Sequence, residues 1–279
     1  MQSRPPSQTA RAAAIHRAVH QILEDGRIFT DPLAVRILNE DAAALAREAR
    51  QNPHRRAMRL FIAMRTRFAE DALAAAVTKG VRQLVVLGAG LDTYAYRGPL
   101  RESLRIFEVD HPATQAWKRE RLAAAGIPLP PTLSFAPVDF ERQTLPAGLA
   151  AAGFDPSQRS FFTCLGVVPY LTREAASTTL RFIASLPGGA EVVFDYSNPP
   201  DSFSPELRAV HDARAARVAE VGEAWISYFE SDELEVSLRE FGFTEVEDLG
   251  PPQFVARYFP RRPAFLPEKG PHILRAATS

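Results

Sequence analysis

The sequence contains one cysteine and three lysines and has no net charge, and these shortages exclude some classes of protein. Cys164 is the single cysteine in 279 residues, so no internal disulfide can form, which fits the reducing cytoplasm where we expect the protein to work. Its 33 basic residues, only three of them lysine, balance 33 acidic residues. A nucleic-acid-binding protein usually carries a basic excess or a basic stripe, so we expect no nucleic-acid partner.

Long hydrophobic runs are also missing from the sequence. No stretch approaches the ~18 apolar residues that a membrane-spanning helix needs, and residues 1–14 contain no apolar run of the kind found in signal peptides. We therefore expect neither a membrane partner nor a secretion signal. A chain of this length buries about three quarters of its unfolded surface, so its core needs no disulfide or metal, and we predict no metal site.

What the sequence does contain is an alternation of short apolar runs with helical stretches. The N-terminal part is helical from Ala12 to about Thr78, with Asp31 and Pro32 interpreted as a helix cap and first turn and a break at Asn52–Pro53. Strands are predicted at 83–87, 105–109, 133–138, 160–164 and 191–194, and helices at 112–125, 141–152 and 172–186. This alternation predicts an α/β fold with a Rossmann-like, doubly wound, mostly parallel sheet.

The remaining segments complete a predicted single domain over residues 1–279. Residues 1–80 form an N-terminal helical cap, 81–198 the core that would bind a cofactor, and 199–230 an acidic, arginine-containing lid insertion. Residues 231–279 finish the sheet with a helix at 232–241, a stop at Gly242 and two strands near 243–248 and 271–276.

A glycine loop follows the first predicted strand. Leu87 leads directly into Gly88-Ala89-Gly90, and glycine there lets the backbone approach a bound ligand closely. Asp110 ends the second predicted strand, 20 residues after Gly90. A carboxylate at that place accepts hydrogen bonds from both ribose hydroxyls of a nucleoside. Alternatively, Asp110 caps the next helix, an interpretation that Pro112 also fits.

The third glycine of a dinucleotide-binding loop is missing. Thr93 occupies its position, so the loop lacks the cradle that holds a pyrophosphate at a helix N-terminus. S-adenosylmethionine has no phosphate, and its amino-acid tail needs a cation and backbone groups instead. Asp139, which ends the third predicted strand, could hold the adenine amino group. Asp110, Asp139 and Asp195 all end predicted strands, and each could instead be a helix cap.

Arg65 and Arg67 offer a cation for the carboxylate of such a tail. The guanidinium fork pairs with a carboxylate through two hydrogen bonds. Residues two apart on a helix point ~200° around its axis, so only one can face the cofactor, and we predict Arg65. The alternative places both in ion pairs with helix neighbours such as Glu70 or Asp71.

Longer segments resemble one family. RTRFAEDAL at 65–73, GVRQLVVLGAGLDTYAYR at 80–97, FEVDHP at 107–112 with Lys118, and FFTCLGVVPYLTREA at 161–175 are similar to the leucine carboxyl methyltransferase family. The resemblance is strongest to its bacterial branch of S-adenosylmethionine-dependent, natural-product methyltransferases, and covers roughly residues 12–260. It implies a class I methyltransferase fold.

The resemblance also assigns roles to residues. Arg65 would hold the cofactor carboxylate, the loop Gly88-Ala89-Gly90 would line the methionine part, and Asp110 would bind the ribose. The adenine would lie between Asp139 and Phe140, and Tyr170 would face the methyl-transfer site. The family often has Glu in the fourth strand, where this chain has Thr163-Cys164-Leu165. Backbone oxygens of Thr163 or Leu165 would then bind the methionine amine.

These observations together predict an enzyme that moves a methyl group from S-adenosylmethionine to an oxygen of a small molecule, in secondary metabolism. A carboxylate acceptor is ionised at neutral pH, whereas a phenol needs a base, for which His16, His20 and His111 are candidates. The aromatic residues and arginines of the cap and lid favour a partly apolar, anionic acceptor; they include Phe61, Phe203, Trp225 and Tyr228. Two alternatives stay open: an NAD-dependent oxidoreductase, and a family member that binds S-adenosylmethionine without transferring its methyl group.

Overall fold

Helices and strands alternate along the chain as the sequence predicts. The computed structural model describes residues 7–139, 143–260 and 267–279. Its helices are α1 (Gln8–Glu24), α2 (Ala34–Leu38), α3 (Ala42–Gln51), α4 (Arg56–Thr78), α5 (Tyr94–Arg97), α6 (Pro112–Ala124), α7 (Leu145–Ala151), α8 (Arg173–Ala184), α9 (Pro205–Glu220), α10 (Ser231–Phe241) and α11 (Pro251–Tyr258). Its strands are β1 (Gln83–Leu87), β2 (Arg105–Asp110), β3 (Leu133–Pro137), β4 (Ser160–Cys164), β5 (Ala190–Ser197), β6 (Glu245–Leu249) and β7 (Pro271–Ala277).

The seven strands form one mixed sheet in the order β3-β2-β1-β4-β5-β7-β6. The pairs β1·β2, β2·β3 and β4·β5 are parallel, and β7 runs antiparallel to both β5 and β6. Every residue of β1 is buried, as expected for a strand covered on both faces. The predicted α/β class with a mostly parallel sheet is confirmed.

Close contacts within the chain group into two compact units. The first consists of Met1–Ala74 and Arg82–Phe154, and the second of Ala75–Val81 and Asp155–Ser279. In the first unit one buried cluster joins the N-terminal helices to α6 and the glycine-loop segment; Ala14, Ile37 and Leu38 pack there with Leu91 and Leu122. In the second, Phe161, Phe162 and Val192 on β4 and β5 are fully buried. The single-domain assignment with its four segments stays a prediction.

Several local predictions are wrong in instructive ways. Asp31 does not cap a helix, because α2 begins at Ala34 with Leu33 as its N-cap. The Asp31 carboxylate instead lies beside the buried guanidinium groups of Arg17 and Arg97. Asp195 does not end its strand, because β5 continues to Ser197. The helix predicted at 141–152 begins at Leu145.

Among the described helices, none has the length and apolar character needed to cross a membrane.

Candidate functional site

The glycine loop adopts the backbone conformation that its sequence requires. Gly88 and Gly90 both have positive φ values, 61° and 43°, a region that side-chain-bearing residues rarely adopt. A Cβ at Gly90 would lie 2.9 Å from the methyl group of Ala10 on α1. The loop therefore needs glycine for its turn, and at Gly90 also because α1 packs against it.

Asp110 joins the end of β2 to this loop. One carboxylate oxygen accepts the Gly90 N–H at 2.6 Å, and the other accepts the His111 N–H at 2.7 Å. The alternative of Asp110 as a helix cap is wrong, because His111 is the N-cap of α6 and its Nδ1 accepts the Ala113 N–H at 3.2 Å. Burial raises the pKa of Asp110 above its ordinary value, and the Gly90 and His111 amides oppose that rise.

Asp139 lies at the same edge of the sheet, two residues beyond the end of β3. Because β3 runs parallel to β2, its carboxyl end lies beside that of β2, and the Val138 N–H donates to the Asp110 carbonyl at 2.9 Å. The structure thus brings the glycine loop, Asp110 and the half-buried Asp139 to the carboxyl ends of three adjacent strands, where ligands of open α/β sheets bind. Phe140 lies outside the described residues.

Thr93 has a structural role that its place in the motif does not reveal. Its fully buried hydroxyl donates to Asp31 at 2.7 Å and accepts from Arg97 Nε at 2.9 Å. Asp31 also lies 3.5 Å from Arg17 Nε and 3.3 Å from Arg97 Nε, and Arg17 donates to the Leu91 carbonyl at 2.5 Å. This buried network ties the glycine loop to the N-terminal helices, and its spacing along the chain gives no signal in the sequence.

Arg65 and Arg67 face different surroundings on α4. Arg67 is exposed and pairs through Nε with both carboxylate oxygens of Asp71, at 2.8 and 2.9 Å. Arg65 is half-buried, with its guanidinium 5.9 Å from the centre of the Phe61 ring. The separation of the two arginines is as the helical spacing predicts, while the assignment of Arg65 to a cofactor carboxylate stays a prediction.

A buried ion pair that was not predicted from the sequence involves Glu108, two residues before Asp110 on β2. Lys118 of α6 is 2.7 Å from Glu108 of β2, and both side chains are almost completely buried. The Tyr96 hydroxyl donates to the same Glu108 oxygen at 3.3 Å. Burial raises the pKa of Glu108 to about 7, against the lowering effect of Lys118. The available signal was the rarity of lysine, since Lys118 is one of three.

The other candidate residues belong to the second unit. Two of them are half-buried: Thr163, which lies on β4, and Leu165, which follows the end of that strand. Tyr170 ends a short 3-10 turn at Val168–Tyr170. Between them, burial raises the pKa of the Cys164 thiol to about 12, with Asp195 adding to the effect, so this cysteine is no nucleophile at neutral pH. Within residues 7–139, 143–260 and 267–279, no cluster of His, Cys, Asp and Glu could hold a metal ion.

Two of the three candidate histidine bases have structural roles. His20 is fully buried between Glu24, at 3.4 Å from Nδ1, and the Ile28 N–H, at 3.4 Å from Nε2. Burial lowers the pKa of His20. His111 caps α6. The fully buried His20 is not placed to accept a proton from a substrate, whereas His16 and His111 stay candidates.

Solved structures define the class of this fold. A "putative methyltransferase" from Thermobifida fusca matches 99% of this chain and 100% of its own, with a TM-score of 0.57 and 18% identity. A duf574 family protein from Streptomyces avermitilis matches 95% and 97% of the two chains, with a TM-score of 0.56 and 16% identity. The fold is thus the α/β fold of class I methyltransferases.

Sequence comparison gives the family within that class. The family model for leucine carboxyl methyltransferase matches residues 10–184, and the chain belongs to this family. A Bacillus subtilis protein named "Putative S-adenosyl-L-methionine-dependent methyltransferase YktD" is 36% identical over 71% of this chain and 66% of its own length. A Mycolicibacterium smegmatis protein with the same descriptive name is 31% identical over 57% and 51%. The chain spans about half to two thirds of the length of these relatives.

Proposed function

We propose that the protein transfers the methyl group of S-adenosylmethionine to an oxygen of a small-molecule acceptor, in secondary metabolism. The observation that carries this proposal is the joining of Asp110 to the glycine loop at the carboxyl edge of the sheet. Family membership and the names of the relatives support it.

The polar groups at this edge fit the proposed cofactor. A carboxylate offers about four acceptor sites, and the Gly90 and His111 amides occupy one on each oxygen of Asp110. Two acceptor sites remain for the two hydroxyls of a ribose. Thr93, engaged with Asp31 and Arg97, stands where a dinucleotide-binding loop has the glycine that lets its helix pack closely on the strand, which argues against an NAD-dependent oxidoreductase.

Each predicted site residue has one task in this proposal. Arg65 pairs with the cofactor carboxylate, the loop Gly88-Ala89-Gly90 lies along the methionine part, and Asp139 accepts from the adenine amino group. Phe140 would cover the adenine ring. The backbone oxygen of Thr163 or of Leu165 accepts from the methionine amine, and Tyr170, the predicted catalytic residue, contacts the reacting groups.

The chemistry itself is a displacement at carbon. When bound, S-adenosylmethionine would supply a methyl group on a positively charged sulfur, whose S–C bond would break as the acceptor's O–C bond formed, leaving a neutral thioether. The protein's contribution is alignment, because holding the acceptor oxygen in line with that bond removes much of the entropic barrier.

Calorimetric titration tests the cofactor half of the proposal. We expect S-adenosylhomocysteine to bind with one molecule per chain, and NAD and NADP to give no heat. Transfer of a radiolabelled methyl group from S-adenosylmethionine to a panel of carboxylic acids and phenols tests the second half. Binding without transfer to any acceptor would support the alternative of a family member that only binds the cofactor; no binding would refute the proposal.

A further inference from the structure

Helix α9 is an unusual element of the second unit because it has no buried residue along its 16 positions. Its N-terminal half is stabilised locally: the Ser204 side chain caps the N-terminus by accepting the Leu207 N–H at 3.3 Å, and Arg208 pairs with Asp201 at 2.6 Å and Asp212 at 2.9 Å. In proteins most of a helix's stability comes from packing rather than from intrinsic propensity. The contacts that the side chains of α9 make with the segments before and after it therefore carry much of its stability.

Those contacts form a ring cluster around His211. The centre of its imidazole lies 5.5 Å from Phe203, 5.6 Å from Trp225 and 5.5 Å from Tyr228. Nδ1 is 3.0 Å from the Asp212 carboxylate, and Nε2 is 3.1 Å from the Tyr228 hydroxyl. Since a carboxylate only accepts, these partners assign the proton to Nδ1 and leave Nε2 to accept from Tyr228. Both ring nitrogens of His211 thus have hydrogen-bond partners within the cluster.

The cluster lies beside the turn that carries Tyr170. The Ile226 N–H donates to the Pro169 carbonyl at 2.7 Å, and the Ser227 hydroxyl donates to the carbonyl of Leu171. Residues 226 and 227 are therefore held along both neighbours of Tyr170, and Trp225 and Tyr228 flank this pair in the chain. The His211 cluster is thereby placed at the end of the second unit where the predicted methyl-transfer residue lies.

Arg214 stands one helical turn after His211 on α9 and differs from the other basic residues near it. Residues three apart on a helix are neighbours on one face, so Arg214 borders the His211 cluster. It is half-buried, and among the described residues no carboxylate pairs with it, whereas Arg208 has two. Burial, with Arg217 nearby, lowers the pKa of Arg214. A partly desolvated cation without a counter-charge favours an anionic ligand.

We propose that the His211 cluster and Arg214 form the acceptor subsite, and that it takes a planar aromatic acid. The half-buried Phe203 and Trp225 offer ring surface to the acceptor, and Arg214 offers the guanidinium fork that pairs bidentately with a carboxylate. This inference rests on the proposed methyl transfer and names the class of acceptor for it.

Fluorescence titration tests the subsite directly. The chain has two tryptophans, so Trp117→Phe leaves Trp225 as the reporter. We titrate 4-hydroxybenzoate and 2-naphthoate, each beside its uncharged amide, with and without saturating S-adenosylhomocysteine. We expect saturable quenching by the carboxylates. Arg214→Gln should weaken their binding about 10-fold or more, the usual loss for a hydrogen bond between charged groups, and leave the binding of the amides unchanged.

Arg217→Gln is the matched control, since Arg217 lies one turn further along α9 and is exposed; it should change carboxylate binding less than about 2-fold. The proposal is overturned if no carboxylate quenches Trp225, if the amides bind as tightly as the acids, or if Arg214→Gln binds like the unsubstituted protein. Failure to bind S-adenosylhomocysteine refutes the proposed function separately, because the carboxylate titration is also read without it.

Discussion

At the residue scale, Asp110 is both the acid that the sequence motif predicts and the residue that binds the glycine loop in the structure. Its two oxygens hold the Gly90 and His111 amides and still have acceptor sites left. We expect Asp110→Ala to weaken S-adenosylhomocysteine binding by about 2–4 kcal/mol, because two ribose hydroxyls lose a charged acceptor worth about 1.5–3 kcal/mol each, without strict additivity. Calorimetry on the purified variant measures this loss.

His111→Ala is the control for that substitution. It removes the side chain that caps α6, so we expect the free energy of unfolding to fall by about 1 kcal/mol while cofactor affinity stays the same. An Asp110→Ala protein that loses stability but binds normally would contradict the assignment of Asp110 to the ribose.

The ionisation of Asp110 gives the affinity a pH dependence with a defined sign. Burial raises the pKa of Asp110 above 3.8 in the folded protein, so acidification protonates it at a higher pH than a free aspartate. The protonated group is a poorer acceptor for two hydroxyls. As the pH is lowered, we therefore expect the affinity for S-adenosylhomocysteine to begin falling while the pH is still above 3.8. The free energy of unfolding of the unliganded protein has the opposite pH dependence. The contribution of Asp110 to it is greatest below pH 3.8 and is lost as the pH rises through the raised pKa of the folded protein.

Titration calorimetry at a series of pH values, from just above the ordinary pKa of aspartate, about 3.9, up to neutral pH, measures this dependence. In Asp110→Asn the weaker affinity should no longer change with pH in this way. The same slope in both proteins would show that another group is responsible.

The two arginines of α4 separate a ligand contact from a surface ion pair. If Arg65 holds the cofactor carboxylate, Arg65→Ala and Arg65→Lys should both weaken binding, because an ammonium cannot reproduce the planar fork. Arg67 is already paired with Asp71 on the exposed face, so Arg67→Ala should change affinity little and stability by about 0.3–0.5 kcal/mol. A larger affinity loss at Arg67 than at Arg65 would show that the register is wrong.

At the element scale, the pair Glu108–Lys118 joins β2 to α6, two residues before Asp110 on the same strand. Removing one partner leaves a buried charge uncompensated, so we expect Lys118→Met to lower the free energy of unfolding by about 3–5 kcal/mol. Replacing both residues, in Glu108→Leu with Lys118→Met, should be less damaging than the single change. Urea unfolding of the three proteins decides this, and equal stability of Lys118→Met and the unsubstituted protein would refute it.

Elements were predictable from sequence where a single local signal sufficed. The predicted strand at 160–164 matches β4, and 83–87 matches β1, because buried apolar runs bounded by turn residues have little alternative to a covered strand. Gly242 ends α10 in the left-handed conformation, as expected. The short α5 and the α11 that begins with Pro251 escaped prediction, because neither has enough turns to show a helical period.

At the scale of the whole molecule, cofactor binding should stabilise the folded chain. A ligand that binds only the native state adds about 2.7 kcal/mol at 100 times its dissociation constant. We therefore expect the melting temperature to rise with S-adenosylhomocysteine concentration, and the rise to be much smaller in Asp110→Ala at the same concentration. A panel with NAD and NADP should give no shift, and a shift with either would favour the oxidoreductase alternative.

The sequence by itself determined the class of the fold and the order of its elements, because strand and helix patterns are local and the glycine loop needs its own residue type. It also predicted Gly90, Asp110 and Asp139 at the ends of successive strands, and parallel strands bring their carboxyl ends to one edge of the sheet. Only the tertiary structure decided three sets of contacts: Asp31 binds Thr93 and Arg97, and Lys118 pairs with Glu108. The third set places the His211 ring against three aromatic rings. Such contacts join residues whose spacing follows no period, so they exist only once packing has brought distant segments together.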